Sequence, residues 1–150
     1  GFIAALLLAK MGRVGNLSEK AAQGEAAVKL QLELTGDVRL ITAHGDGWIA
    51  IDGERHEQNL ILTPDAAHPG WLETGWSSFD AAAVEQLLAH QPELILLGSG
   101  PTLVWPPAAA LQRLTQSGIG FEVMALPAAC RTYNVLASEG RRVVAGLVLR

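Results

Sequence analysis

The residues best suited to chemistry lie in one short stretch, which contains the only cysteine of the chain. Cys130 is followed by Arg131, Thr132, Tyr133 and Asn134, and the stretch is predicted to run from a strand end into the first turn of a helix. Backbone N–H groups at a helix start and a neighbouring arginine both favour an anion, so the position predicts a thiol pKa below its free value of about 8.5. The thiol would then act as a nucleophile, a redox sensor or a ligand contact. The alternative, which we favour, is a small buried apolar residue.

Thiol catalysis requires a histidine base and an orienting carboxamide or carboxylate close to the sulfur. Asn134 lies one helical turn beyond Cys130, but an amide cannot act as a base. The four histidines occur in or beside turns and loops of the first half, or at a helix end: His44, His56, His68 and His90. Local spacing places none of them near the thiol, and no pair has the spacing of a zinc site. The sequence therefore predicts no metal site and no cofactor, and it assigns no catalytic residue beyond the candidate Cys130.

A glycine-rich turn is the second candidate for chemistry. Gly98-Ser99-Gly100 follows the apolar run Glu93–Leu97, and glycines allow backbone N–H groups to approach an anion closely. The turn lacks both the full dinucleotide fingerprint and the lysine of a phosphate-binding loop, so we favour a tight structural turn over an anion site. Because the carboxyl ends of parallel strands meet at one edge of a sheet, we expect this turn and the cysteine segment to lie close together. The candidate ligand-binding residues are Gly98, Ser99, Gly100, Cys130, Arg131, Thr132, Tyr133 and Asn134.

Several large side chains have two interpretations each. Arg131 can hold a carboxylate or phosphate through its planar guanidinium, or pair with Glu122 or Glu139. Tyr133 can line a pocket or pack in the core with its hydroxyl bonded. The tryptophans in or beside loops can cover the core, which we favour, or anchor a partner. The four tryptophans are Trp48, Trp71, Trp76 and Trp105.

The predicted secondary structure that positions these residues differs between the two halves of the chain. The first half has short β-rich runs separated by Gly45-Asp46-Gly47 and Asp52-Gly53, which predicts a β-meander. A further strand is predicted over 59–63 and a loop over 65–77. In the second half strands and helices alternate, with Ser77 or Ser78 predicted to cap the first helix. Helices are predicted to end near His90, to follow Pro106-Pro107 up to Gly118, and to span 127–139; strands are predicted over 93–97, 119–124 and 142–149. This βαβαβ order predicts an α/β fold.

Length and composition restrict the class of protein. The chain has 150 residues, with 49% hydrophobic and 17% charged residues, which predicts one globular domain. Its formal net charge is −4 and no stripe of Lys and Arg is present, so nucleic acid is not an expected partner. A single cysteine fits a reducing compartment, and we expect a cytoplasmic protein.

The N-terminal segment is predicted to differ from the rest of the chain. The apolar run over 2–9 is shorter than the roughly 20 residues that a bilayer span needs, so no transmembrane segment is predicted. We expect residues 1 to about 30 to form a poorly ordered extension and residues 31–150 to form a single α/β domain. The alternative for the extension is an apolar arm that docks on a neighbouring chain.

Several segments resemble a widespread family of small uncharacterised proteins that includes the mitochondrial respiratory complex I assembly factor 3 and the human adipogenesis-associated Mth-domain protein. The resemblance is carried by 41–47, 96–100, 118–124 and, most specifically, 129–136 with 139–142, and it covers about Val38 to Leu149. It implies a compact three-layer α/β domain with a central mixed sheet. It implies no established catalytic activity or cofactor, and its best-described role is assembly of a membrane complex.

Two functional hypotheses follow. The leading one is a non-catalytic interaction or assembly factor that binds an unidentified protein partner through its loops, either free in the cytoplasm or held at the inner membrane through that partner. The alternative is a binding protein or enzyme for a small anion, in which Cys130 is the nucleophile and Gly98, Ser99 and Arg131 hold the anionic group. The accessibility of the thiol distinguishes the two hypotheses.

Overall fold

The structure is a computed structural model that describes residues 38–150. The expectations for residues 1 to about 30, and for a domain start at residue 31, lie outside the described residues. The strands are β1 Ile41–Gly45, β2 Trp48–Ile51, β3 Glu54–His56, β4 Leu60–Leu62, β5 Ala67–Pro69, β6 Leu94–Ser99, β7 Gly120–Met124 and β8 Val143–Val148. The helices are α1 Ala81–Leu88, α2 Ala108–Gln116 and α3 Leu126–Ser138.

The first three strands form the predicted meander, an antiparallel sheet in the order β1-β2-β3. Its second turn has Asp52 at φ 50° and Gly53 at φ 85°, so both central residues have the positive φ that a type I′ turn needs. The aspartate–glycine pair therefore predicted this hairpin correctly.

The remaining five strands form one mixed sheet in the order β5-β4-β8-β6-β7. β6 runs parallel to both β7 and β8, while β4 runs antiparallel to β8 and to β5. Helices α1 and α2 pack on one face, where Ile95 and Leu97 belong to a core cluster with Leu87 and Leu114. On the other face α3 packs against Gly98, where an added Cβ would lie 3.3 Å from the Ala129 Cβ. The three-layer α/β fold with a central mixed sheet is thus confirmed.

The segment predicted as a loop over 65–77 is more ordered than expected. It contains the short strand β5, paired with β4, and the start of a 3-10 turn at Trp76–Ser78. The predicted cap at Ser77 or Ser78 is also wrong: α1 begins after Asp80, whose carboxylate accepts a hydrogen bond of 3.0 Å from the Ala83 N–H. A carboxylate at the N-cap satisfies a free backbone donor and complements the helix dipole, so Asp80 sets the start of the helix.

Candidate functional site

The thiol of Cys130 lies inside the protein rather than in a crevice. It is on the fifth residue of α3, its relative exposure is 2%, and it shares the buried face of the helix with Ala129 and Tyr133. Burial raises the pKa of the Cys130 thiol from its ordinary value of 9.0 to about 11, because desolvation outweighs the opposing effects of the Arg131 charge and a backbone hydrogen bond. The predicted lowering of this pKa is therefore wrong, and the favoured alternative, a buried apolar residue, is confirmed.

The residues that follow Cys130 join α3 to strand β1. The Asn134 side chain accepts a hydrogen bond of 2.8 Å from the Ile41 N–H and donates one of 2.7 Å to the Ile41 carbonyl. The buried Tyr133 hydroxyl donates to the Arg39 carbonyl over 2.8 Å, and burial raises the pKa of this phenol. Both side chains therefore hold the meander against α3.

The other two residues of this stretch face different surroundings. The Thr132 hydroxyl lies 3.3 Å from the Met124 sulfur at the end of β7, whereas Arg131 is exposed on α3. The described contacts of 131–134 are thus structural, and ligand binding by these residues stays a prediction.

The glycine–serine–glycine turn makes contacts of the same kind. An added Cβ on Gly98 would lie 3.0 Å from Leu147, and one on Gly100, whose φ is 96°, would lie 3.2 Å from the Arg150 backbone. Ser99 is buried. Its hydroxyl faces two acceptors, the Thr102 carbonyl at 2.8 Å and the Met124 carbonyl at 3.2 Å. The same hydroxyl accepts a hydrogen bond of 3.0 Å from the Val104 N–H. The two glycines allow close packing, and the serine hydroxyl fixes the loop that follows.

That loop carries the most exposed large apolar side chains among the described residues. Leu103, Val104 and Trp105 are 55%, 46% and 65% exposed. We call these three residues the apolar tip. The sequence drew attention to Trp105 alone among them, and it left open whether this ring covers the core or faces outward. Trp71, by contrast, is a core residue at 2% exposure.

Two stretches of sequence beside the apolar tip contain no charged residue. The sequence from residue 94 to residue 112 contains no Asp, Glu, Lys or Arg, and neither does the stretch 123–130 that leads into α3. The two stretches are adjacent at the carboxyl edge of the sheet, where the Leu126 N–H donates to the Gly100 carbonyl over 2.7 Å. These two stretches therefore bring no charged side chain to the edge where the alternative hypothesis placed an anion site.

Residues 38–150 contain no group of three or more His, Cys, Asp or Glu side chains arranged to hold a metal ion. His68 and His90 stack with ring centroids 4.4 Å apart, and burial, followed by the charge of His68, lowers the pKa of His90 below 6.5. None of the helices in this part of the chain is long and apolar enough to cross a membrane.

The layers, strand order and buried cysteine helix define a class of small three-layer α/β domains. Within that class the chain belongs to the family described as protein of unknown function (DUF498/DUF598), whose model matches residues 41–148. The resemblance noted in the sequence is thereby confirmed.

Similar proteins include one from Rhodobacter capsulatus that is described as uncharacterized. It is 37% identical over 108 residues, which cover 72% of this chain and 82% of that protein. A zebrafish protein (Danio rerio) named NADH dehydrogenase [ubiquinone] 1 alpha subcomplex assembly factor 3 is 37% identical over 96 residues, covering 60% of this chain and 55% of that protein. A Francisella tularensis protein named 13 kDa major membrane protein is 35% identical over 66 residues, covering 44% of this chain and 54% of that protein.

A crystal structure of a Bordetella parapertussis protein has the same fold, with a TM-score of 0.70 and 30% identity. The match covers 77% of this chain and 98% of that chain. The chain spans little more than half the length of the zebrafish and Francisella proteins, at 55% and 54%.

Proposed function

We propose that this protein is a non-catalytic assembly factor that binds a protein partner through the apolar tip, Leu103, Val104 and Trp105. The single observation that carries the proposal is the exposure of these three side chains, at 55%, 46% and 65%, within a stretch, 94–112, that contains no charged residue. Full burial of one such side chain contributes about 1.5 to 3 kcal/mol, so covering the exposed parts of all three contributes about 2.5 to 5 kcal/mol. A contiguous exposed apolar group of this kind is typical of an interaction site.

The loop behind the tip is held in place, which favours a preformed binding surface. Ser99 bonds the loop from inside, and the Trp76 indole N–H donates to the Trp105 carbonyl over 3.1 Å. Because the loop backbone is fixed from two sides, little conformational entropy is lost when a partner covers the three side chains.

The names of similar proteins support the partner class. The zebrafish protein is named as an assembly factor for NADH dehydrogenase, and the Francisella protein is named as a membrane protein. We infer that the partner of this chain is a subunit of a multi-subunit membrane complex of the NADH dehydrogenase type, and that the protein works in the cytoplasm at the surface of that membrane. The alternative, an enzyme with Cys130 as nucleophile, is opposed by the burial and raised pKa of the thiol.

The test is genetic complementation in the organism that encodes the protein. Deletion of the gene is expected to lower the amount of assembled NADH dehydrogenase on a native gel, and the wild-type gene is expected to restore it. A variant with Leu103, Val104 and Trp105 all replaced by Ser should fold, since these side chains are exposed, but should not restore assembly.

The matched control is Cys130→Ala, which removes the only thiol and keeps the tip. It should restore assembly fully, because a non-catalytic factor has no use for a nucleophile. Full restoration of assembly by the triple-serine variant would contradict the proposed binding surface. If a well-folded Cys130→Ala variant did not restore assembly, chemistry at the thiol would be favoured.

A further inference from the structure

A cavity of about 580 Å³ lies at the carboxyl end of β8, and none of the eight candidate residues named from the sequence lines it. Its walls are the segment 57–59 between β3 and β4, the segment 73–75 between β5 and α1, and Arg150, which follows β8 by two residues. Its volume is in the range of pockets that hold small molecules. The carboxyl ends of strands are also where ligands of α/β sheets most often bind.

One side chain, Asn59, connects all three walls. Its amide N–H donates to the Leu72 carbonyl over 2.8 Å, and its carbonyl accepts a hydrogen bond of 2.9 Å from the Leu149 N–H. The Gly75 N–H donates to the same Leu72 carbonyl over 2.9 Å. These hydrogen bonds fix the backbone beside Glu73 and Arg150, so the cavity is preorganised for a ligand.

The charges on the walls are of both signs. Glu57 is paired with Arg55 at 3.0 Å, which neutralises one of the two carboxylates. Within residues 38–150 neither Glu73 nor Arg150 forms an ion pair, although both line the same cavity. The Arg150 side chain lies against the first turn of the meander, since an added Cβ on Gly47 would lie 2.7 Å from its Nε. The cavity lining therefore includes one cation and one anion that form no ion pair with another described residue.

We propose that this cavity binds a small zwitterionic molecule, with Arg150 receiving its carboxylate and Glu73 receiving its ammonium group. A guanidinium binds a carboxylate through parallel N–H donors, and a carboxylate accepts hydrogen bonds from an ammonium, so each group has the partner that its chemistry favours. A ligand carrying one charge would satisfy one wall only. The apolar tip takes no part in this site.

The experiment is a titration of the ¹⁵N-labelled protein, followed by the backbone amide signals of Gln58, Thr74 and Gly75. The probes are β-alanine, 4-aminobutyrate and 6-aminohexanoate, whose charges are progressively farther apart, together with the single-charge analogues butyrate and butylammonium. We expect saturable shifts with a dissociation constant of about 1 mM or lower for at least one zwitterion, and at least about tenfold weaker binding of both single-charge analogues.

Two pairs of variants make the test specific. Arg150→Gln and Glu73→Gln should each weaken the best zwitterion by about tenfold or more. Arg142→Gln and Glu54→Gln remove the same charges from exposed positions that do not line the cavity and should leave binding unchanged. The triple-serine variant of the tip should also bind normally, so failure of the proposed assembly function and failure of this site are distinguishable.

Three results would each overturn the inference. They are the absence of saturable shifts with every zwitterion up to about 50 mM, equal binding of the single-charge analogues, and unchanged affinity in the Arg150→Gln and Glu73→Gln variants.

Discussion

The burial of Cys130 predicts that the thiol resists alkylation in the folded protein. A rise of the pKa from 9.0 to about 11 lowers the fraction of reactive thiolate about a hundredfold at pH values well below 9. Exclusion of the reagent from a side chain that is 2% exposed slows the reaction further, since labelling then requires local or global opening of α3. We therefore expect labelling at least about a hundredfold slower than in the unfolded chain.

The assay is the rate of iodoacetamide labelling with and without urea, measured by mass spectrometry from about pH 6 to 10. The chain has one cysteine, so the signal has one source. The control is Cys130→Ala combined with Gln112→Cys, which moves the thiol to an exposed position of α2 and should label at the unfolded rate. A folded-state rate within about tenfold of the unfolded rate, or an apparent pKa near 7, would refute the reasoning from burial.

The same shift affects stability at high pH. The thiol of the unfolded chain ionises near 9.0, whereas the thiol of the folded chain ionises near 11, so the unfolded state loses its proton first. The stabilisation is fully present below pH 9 and is lost as the pH rises through 11, by about 2 to 3 kcal/mol in total. The free energy of unfolding of Cys130→Ala, measured beside the wild type, should lack this part of the decline.

Three further outcomes are expected from single substitutions. Asn134→Ala removes two hydrogen bonds to the backbone of β1 and should lower the free energy of unfolding in urea by about 2 to 3 kcal/mol, whereas a loss below about 0.5 would contradict the role of this amide. Gly146→Ala would place a Cβ 2.6 Å from the buried Trp71 ring and should cost about 1 to 3 kcal/mol, with altered indole fluorescence in the native state. The pKa of His90 is below 6.5 in the folded protein, so the folded state binds a proton at His90 less readily than the unfolded state does. The free energy of unfolding should therefore decline as the pH falls below about 7, and His90→Gln should flatten this decline between about pH 7 and 5. An unchanged pH profile in this variant would contradict the lowered pKa of His90.

Much of the fold could be predicted because the decisive signals are local. Strand β8 and the first four residues of β6, Leu94–Leu97, are uninterrupted apolar runs, which is typical of strands covered on both faces. The pair Asp52-Gly53 predicted its turn because few other residues adopt positive φ at both positions. The pairing of β4 with β8 could not be predicted, since it joins strands about 85 residues apart and no local pattern encodes a register between them.

The candidate site was harder because the state of a side chain depends on what packs over it. The position of Cys130 near a helix start was predicted closely, but the direction of its side chain decides between activation and burial, and tertiary packing turns it inward. The cavity at the end of β8 combines Glu73 with Arg150, two residues with no recognisable spacing. Among the tip residues only Trp105 offered a signal that sequence reasoning could use.

The attachment of the meander through Asn134 sets an order of events during folding. Its hairpins can form early, because their contacts join neighbouring residues, yet the two bonds that dock Ile41 bridge 93 positions. Closing so long a segment is slow compared with forming a hairpin. On a ribosome, the meander emerges well before α3 is made. The strands of the meander must therefore wait for α3 before they dock, and during that interval their apolar side chains are exposed to aggregation.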